Sequence, residues 1–163
     1  MTAVSRIIEK MIEYSDGNLH DINHFMKVWG YSKVIGELEE LDDHTQFILE
    51  IAAITHDIAC PLCRAKYGNT NGNLQEAEGA VLVTSFLEGT GLADEEIDRI
   101  SFLVGHHHTY TSIDQLDYQI LIEADYLVNA EESHYSAENI RNAFETIFQT
   151  NTGKHLLQAM YSF

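Results

Sequence analysis

The sequence predicts an all-α fold. Apolar residues recur at three- and four-residue spacing along most of the chain, no stretch alternates strictly over a strand's length, and Pro61 is the sole proline. No repeat, low-complexity tract or linker divides the 163 residues, so 1–163 reads as one helical bundle. A compact chain of that length buries a core without disulfide staples.

The first element is a helix over 3–14, with Val4, Ile7, Ile8, Met11 and Ile12 on one stripe. A longer helix over 19–40 carries Phe25, Val28, Trp29, Ile35 and Leu38, weakened but not broken by Gly30 and Gly36. Asp43 caps a third helix over 43–58, whose apolar face includes Phe47, Ile48, Ile51 and Ile58. From Ala59 to about Asn73 the pattern stops, and Gly68, Asn69, Asn71 and Gly72 predict a loop. Helices over 74–88 and 94–106 follow, the second opened by three acids that suit a helix N-terminus. Ser112 and Gln115 have capping-box spacing and open an apolar helix running to Val128. Two further helices are expected at about 136–149 and 152–162.

The charge balance narrows the function. Nine Lys and Arg face 26 Asp and Glu, a formal net charge of −17. Such a surface repels nucleic-acid polymers and anionic lipid, so an anionic substrate needs a local positive centre. The N-terminus has no apolar run long enough for a signal peptide or membrane span, which places the chain in the cytoplasm without membrane association. The two cysteines, Cys60 and Cys63, cannot build a secreted disulfide framework or a four-thiolate zinc site; packing beside His56-Asp57 is their expected role.

Nine histidines carry the chemistry. His44, His134 and His155 have polar neighbours and read as solvent-facing. His56-Asp57 closes an apolar helix, where a carboxylate meets the negative end of the dipole and needs compensation. A divalent cation or a hydrogen-bonded pair would each provide it. Asp125 lies in Ile120–Val128, a helix apolar on most faces, where an unpaired carboxylate is costly; Glu123 is expected to turn to solvent. His24 sits among Phe25 and Val28 in the same way. Two imidazoles and two carboxylates from three helices suit Mn, Fe(II), Co, Ni or Mg better than a closed thiolate zinc site.

Three blocks in this order, His24-Phe-Met-Lys-Val28, Ile54-Thr-His-Asp-Ile58 and Glu123-Ala-Asp-Tyr-Leu127, resemble the HD-domain superfamily of metal-dependent phosphohydrolases. Their separations, 32 residues from His24 to His56 and 68 from Asp57 to Asp125, fit a small single-domain member. The resemblance implies an all-α bundle in which His24, His56, Asp57 and Asp125 bind one metal. Leu103-Val-Gly-His106-His-His-Thr109 resembles a family segment ending in paired histidines, making His106 and His107 candidates for proton transfer, a second metal or a phosphate oxygen. Gln75 stands where dinuclear members have a histidine, which favours one metal over two; Glu78 could orient a ligand or a water. His20, one turn before His24, is a candidate for substrate contact.

Arg64 and Lys66 are the only cations between Val34 and Asp98, and they follow the doublet directly. With Lys27 they are the expected phosphate-binding residues. The sequence thus predicts hydrolysis of a small phosphoester, a nucleotide being one example, with Asp57 and the 106–107 histidines managing protons. Two alternatives stay open: a di-iron oxygenase of related fold, and a non-catalytic module binding a metal and a nucleotide. Association into a homo-oligomer is also left open.

Overall fold

The computed structural model describes residues 2–163. Their helices are α1 (Ala3–Tyr14), α2 (Leu19–Leu38), α3 (Asp43–Thr55), α4 (Cys60–Tyr67), α5 (Gly72–Leu87), α6 (Asp94–Val104), α7 (Leu116–Glu132), α8 (Ala137–Thr146) and α9 (Asn151–Tyr161). No strand forms among the described residues.

The core is built on α3 and α7. From Gln46 to Thr55 only Phe47 keeps notable exposure, and from Asp117 to Ala130 only Asn129 does. The two helices pack against each other and both against α2; α1 and α6 cover α3, and α9 covers part of α7. Burying Ile48, Leu49, Ile51, Ile54, Ile120, Leu121, Leu127 and Val128 in one cluster supplies the main stabilisation, at about 1.5–3 kcal/mol for each large side chain. Asp43–Tyr67 is long and apolar enough by composition to cross a membrane, but its apolar window is 78% buried inside the bundle.

The cap of α3 is Asp42, which accepts from His44 and Thr45 N–H, and not Asp43; three larger expectations also need correction. Of the expected loop, residues 68–71 do lie outside any helix, but Cys60–Tyr67 is the helix α4. Pro61 occupies its first turn, where no intrahelical N–H is needed, and Gly68 ends it at φ +71°, a conformation that costs glycine nothing. Ser112 does not open α7; it sits at φ +57° in the preceding turn, and Gln115 flanks the helix without a side-chain cap. That turn is held instead by Arg99, which pairs with Asp114 at 2.7 Å and with buried Asp117 at 2.6 Å.

The third correction concerns Glu123, which is fully buried. Its Oε1 accepts from Gln119 Nε2 (2.8 Å), Gln149 N–H (2.7 Å) and Thr150 N–H (2.9 Å), and its Oε2 from the Thr150 hydroxyl (2.5 Å). Thr150 caps α9 and accepts from Gly153 N–H at 2.8 Å. A carboxylate on α7 thus anchors the start of α9, and burial pushes its pKa up against the pull of those donors. A Cβ on Gly153 would overlap Glu123 Oε2 and the Thr150 hydroxyl. Gly153→Ala should therefore lower unfolding free energy by about 1–3 kcal/mol in urea titration. An unchanged midpoint would show that this anchor contributes nothing.

Candidate metal centre

The turn after α3 delivers His56 and Asp57, α2 delivers His24, and α7 delivers Asp125. The four side chains converge. His24 Nε2 lies 3.1 Å from His56 Nε2, 3.2 Å from Asp125 Oδ1 and 3.3 Å from Asp57 Oδ2. His56 Nε2 lies 3.4 Å from Asp125 Oδ1 and 3.5 Å from Asp57 Oδ2. His107, from the turn after α6, adds its Nε2 at 3.4 Å from Asp57 Oδ1.

What the other nitrogens do decides the chemistry. His56 Nδ1 donates to the Ala53 carbonyl at 2.7 Å, and His107 Nδ1 to the Val104 carbonyl at 2.7 Å. His24 Nδ1 donates to Glu132 Oε2 at 2.8 Å. A carbonyl or carboxylate oxygen only accepts, so each Nδ1 carries a proton, and a ring with no second proton turns an Nε2 lone pair inward. Three lone pairs and two carboxylates then face one another. His107 Nε2 is buried with no hydrogen-bond partner. Such an arrangement is repulsive until positive charge enters it, which is the donor set of a divalent cation.

The proton equilibria point the same way. Burial opposes charge on His24, but its hydrogen bond to Asp125 and the nearby Asp57 and Asp125 charges raise its pKa to about 10. For Asp57, burial is outweighed by His56, His107 and His24, which hold the carboxyl far below its usual range. Asp125 is held well below its usual range by His24 and His56, again against burial. The cluster calls for positive charge, as protons or as a cation. His24, His56 and Asp125 could hold a metal ion, as could His56, Asp57 and His107, and a third group of His107, His108 and Asp125.

The cluster opens into a cavity of about 190 Å³. Its walls include Asp21, Asp57, Asp125 and Glu132 against a single cation, Arg64. Arg64, on α4, reaches both carboxylate oxygens of Asp21 on α2. Lys66, one of the expected phosphate-binding residues, is absent from the wall. Its side chain is 53% exposed and pairs with Glu78 at 2.7 Å, a carboxylate that also accepts from the Tyr67 hydroxyl at 2.5 Å. Glu78 is thereby taken up on the outside of α5 rather than orienting a ligand. Lys27 is likewise off the wall, held by Glu132 at 2.7 Å and Glu131 at 3.4 Å. His20 does reach the mouth, 75% exposed and 3.7 Å from both Asp21 and Glu132.

The three consecutive histidines separate. His106 turns away: its Nδ1 donates to the Phe102 carbonyl at 2.7 Å and its ring stacks on Phe102 at 4.2 Å, outside the cavity wall. His107 faces the cluster. His108, which the sequence reading did not single out, lines the cavity with its Nε2 3.2 Å from Gln75 Oε1. Gln75 Nε2 donates to the Thr70 carbonyl at 2.6 Å, which orients the amide so that its oxygen accepts from His108. Burial and the neighbouring His107 lower the His108 pKa to about 4. Glu76 pins the same turn, accepting from His108 N–H at 3.0 Å and the Thr109 hydroxyl at 2.8 Å. Asn129 was also missed; its amide donates to Asp125 Oδ1 at 2.9 Å. Cys60 lines the cavity as a free thiol, its pKa pushed up by burial and by Asp57 and Asp21; Cys63 is free and buried.

No family model and no curated protein matches this chain. A crystal structure does: that of a predicted HD superfamily hydrolase from an uncultured Thermotogales bacterium. At 27% identity it superposes with a TM-score of 0.69 over 98% of this chain and 85% of that one. A helix His, a His-Asp doublet and a distal Asp brought together by an all-α bundle is the HD-domain arrangement, and this chain has the HD-domain fold.

Glu132 tests the reading of the rings. It fixes the His24 tautomer, while Lys27 holds its other oxygen. Carboxylates behind ligand imidazoles typically contribute 10–100-fold to metal affinity. Glu132→Gln should weaken divalent-metal binding by roughly that factor in chelator competition, with helicity preserved. Unchanged affinity would remove Glu132 from the centre.

Proposed function

We propose that this chain is a metal-dependent phosphohydrolase acting on a small phosphoester. The observation that carries the reading is the inward convergence of three Nε2 lone pairs with Asp57 and Asp125, at the base of a cavity whose wall bears one arginine. His24, His56, Asp57 and Asp125 would hold a divalent ion, from among Mn, Fe, Co, Ni and Mg. When bound, that ion would supply Lewis acidity toward a phosphoryl oxygen and acidify a water molecule beside it.

The chain's own residues supply the rest. Asp57 touches two imidazoles through Oδ2 and His107 through Oδ1, so it bridges the ligand set and the one further ring. That position lets His107 and Asp57 together hold a proton on its way from water to a leaving alcohol. Arg64 uses its guanidinium on Asp21 and retains donors for a substrate phosphate entering the cavity. The small volume of the cavity favours a small substrate over a polymer.

A second ion has one specific observation in its favour, the grouping of His107, His108 and Asp125. Gln75 answers it. The amide oxygen takes the His108 Nε2–H, so a neutral carboxamide stands where an imidazole would complete a second set. One ion per chain is the expected stoichiometry, and two would favour a dinuclear centre and reopen the di-iron alternative.

The test is metal analysis of freshly purified protein, then a phosphoester panel with that metal restored. Asp125→Ala should remove metal and hydrolysis together. Arg64→Gln should weaken turnover by about ten- to a hundred-fold at unchanged metal content, since a charge-assisted hydrogen bond contributes ~1.5–3 kcal/mol. Lys66→Gln should do nothing measurable. A metal-loaded protein that hydrolyses no phosphoester would defeat the proposal.

A further inference from the structure

A second cavity lies away from the metal centre and shares no residue with it. Its volume, about 390 Å³, is twice that of the first. Its wall consists of Ala3, Arg6, Ile7 and Lys10 from α1 and the Gly89-Thr90-Gly91 turn between α5 and α6. In a chain with 26 acids and nine Lys and Arg, two cations and no carboxylate line this space.

The two cations are available. Lys27, Lys33, Arg64, Lys66 and Arg99 are each held by carboxylates. Arg6 and Lys10 are not among them. Lys10 donates one bond to the Phe86 carbonyl and lies over the Phe86 ring at 4.4 Å, which fixes its stem and leaves two ammonium donors. Arg6 follows the same face one turn earlier, exposed and with no acceptor among the described residues. Glu88, the acid next to the turn, lines a different depression with Asp94 and Asp98.

The turn supplies further donors. Gly89 and Gly91 stand at φ +73° and +89°, where side-chain-bearing residues are strained. Their N–H groups have no acceptor among the described residues. Backbone N–H groups in such turns form anion-binding concavities. Ala3 and the edge of the otherwise buried Ile7 add an apolar part to the wall.

We infer that this cavity binds a small phosphomonoester carrying an apolar group: the phosphate on Arg6, Lys10 and the glycine turn, the apolar group on Ile7 and Ala3. Gln75 lies in the first turn of α5 and Gly89 just past its end at Leu87, and the helix from 75 to 87 alone spans roughly 18 Å. The two cavities are therefore separate sites. The inference does not depend on the chemistry proposed for the metal centre.

The test is amide-resolved NMR titration of the protein with inorganic phosphate and with phenyl phosphate at constant ionic strength. The Gly89 and Gly91 amides should shift saturably below about 20 mM ligand, with phenyl phosphate binding more tightly than phosphate. In Arg6→Gln/Lys10→Gln, binding read at those amides should weaken by roughly tenfold or more, with circular dichroism unchanged. Arg6→Gln alone, which breaks no contact in the fold, should weaken it as well. Shifts confined to residues of the metal cavity would overturn the inference, as would equal affinity in the double variant. Phenyl phosphate binding no better than phosphate would overturn the assignment of the apolar wall. Loss of hydrolysis with these amide shifts intact would count against the metal centre alone.

Discussion

Three imidazole nitrogens and two carboxylates, with neighbours 3.1–3.5 Å apart at a largely buried site, repel one another unless positive charge joins them. The surrounding structure holds that arrangement in place. Backbone carbonyls of Ala53 and Val104 fix two rings, and Glu132 fixes the third. Asn129 steadies Asp125 from one turn along α7. The two core helices, α3 and α7, are those that bring the doublet and the distal carboxylate together, so core packing and site assembly depend on the same contacts.

Electrostatics extend outward from that cluster in alternating sign. Lys27 sits behind Glu132, which sits behind His24. Arg64 sits across from Asp21 at the mouth of the cavity. In a chain of net charge −17, the cations near the site are therefore already spoken for by acids. An arriving phosphate must draw on Arg64 in competition with Asp21, and on whatever positive charge the cluster itself has taken up.

Much of this was legible in the sequence. Residues that are costly to bury stood out within apolar helices: His24, His56-Asp57 and Asp125 could be picked because nothing local compensated them. The helices were also legible wherever an apolar stripe ran for several turns. The short helix α4 was not, because its eight residues carry no clear stripe and its start is a proline, which reads equally well as a turn. Glu123 was misjudged since its partners, Gln149 and Thr150, are more than twenty residues away and nothing nearby announces them. The register of His106-His107-His108 was illegible for a similar reason. Where a helix ends in a turn, helical periodicity no longer says which ring faces inward; Phe102 and Gln75 decide it in space. The expectation for Lys66 rested on its closeness in sequence to the doublet, but on α4 that residue points to Glu78.

The most direct test of the central claim is anomalous X-ray diffraction from crystals of the protein as purified, collected on both sides of the absorption edge of the metal found in solution. The account predicts one anomalous peak per chain, bonded to His24, His56, Asp57 and Asp125. A metal-free cluster after growth in metal-replete medium, or an ion bound elsewhere with any of these four side chains turned away, would contradict it.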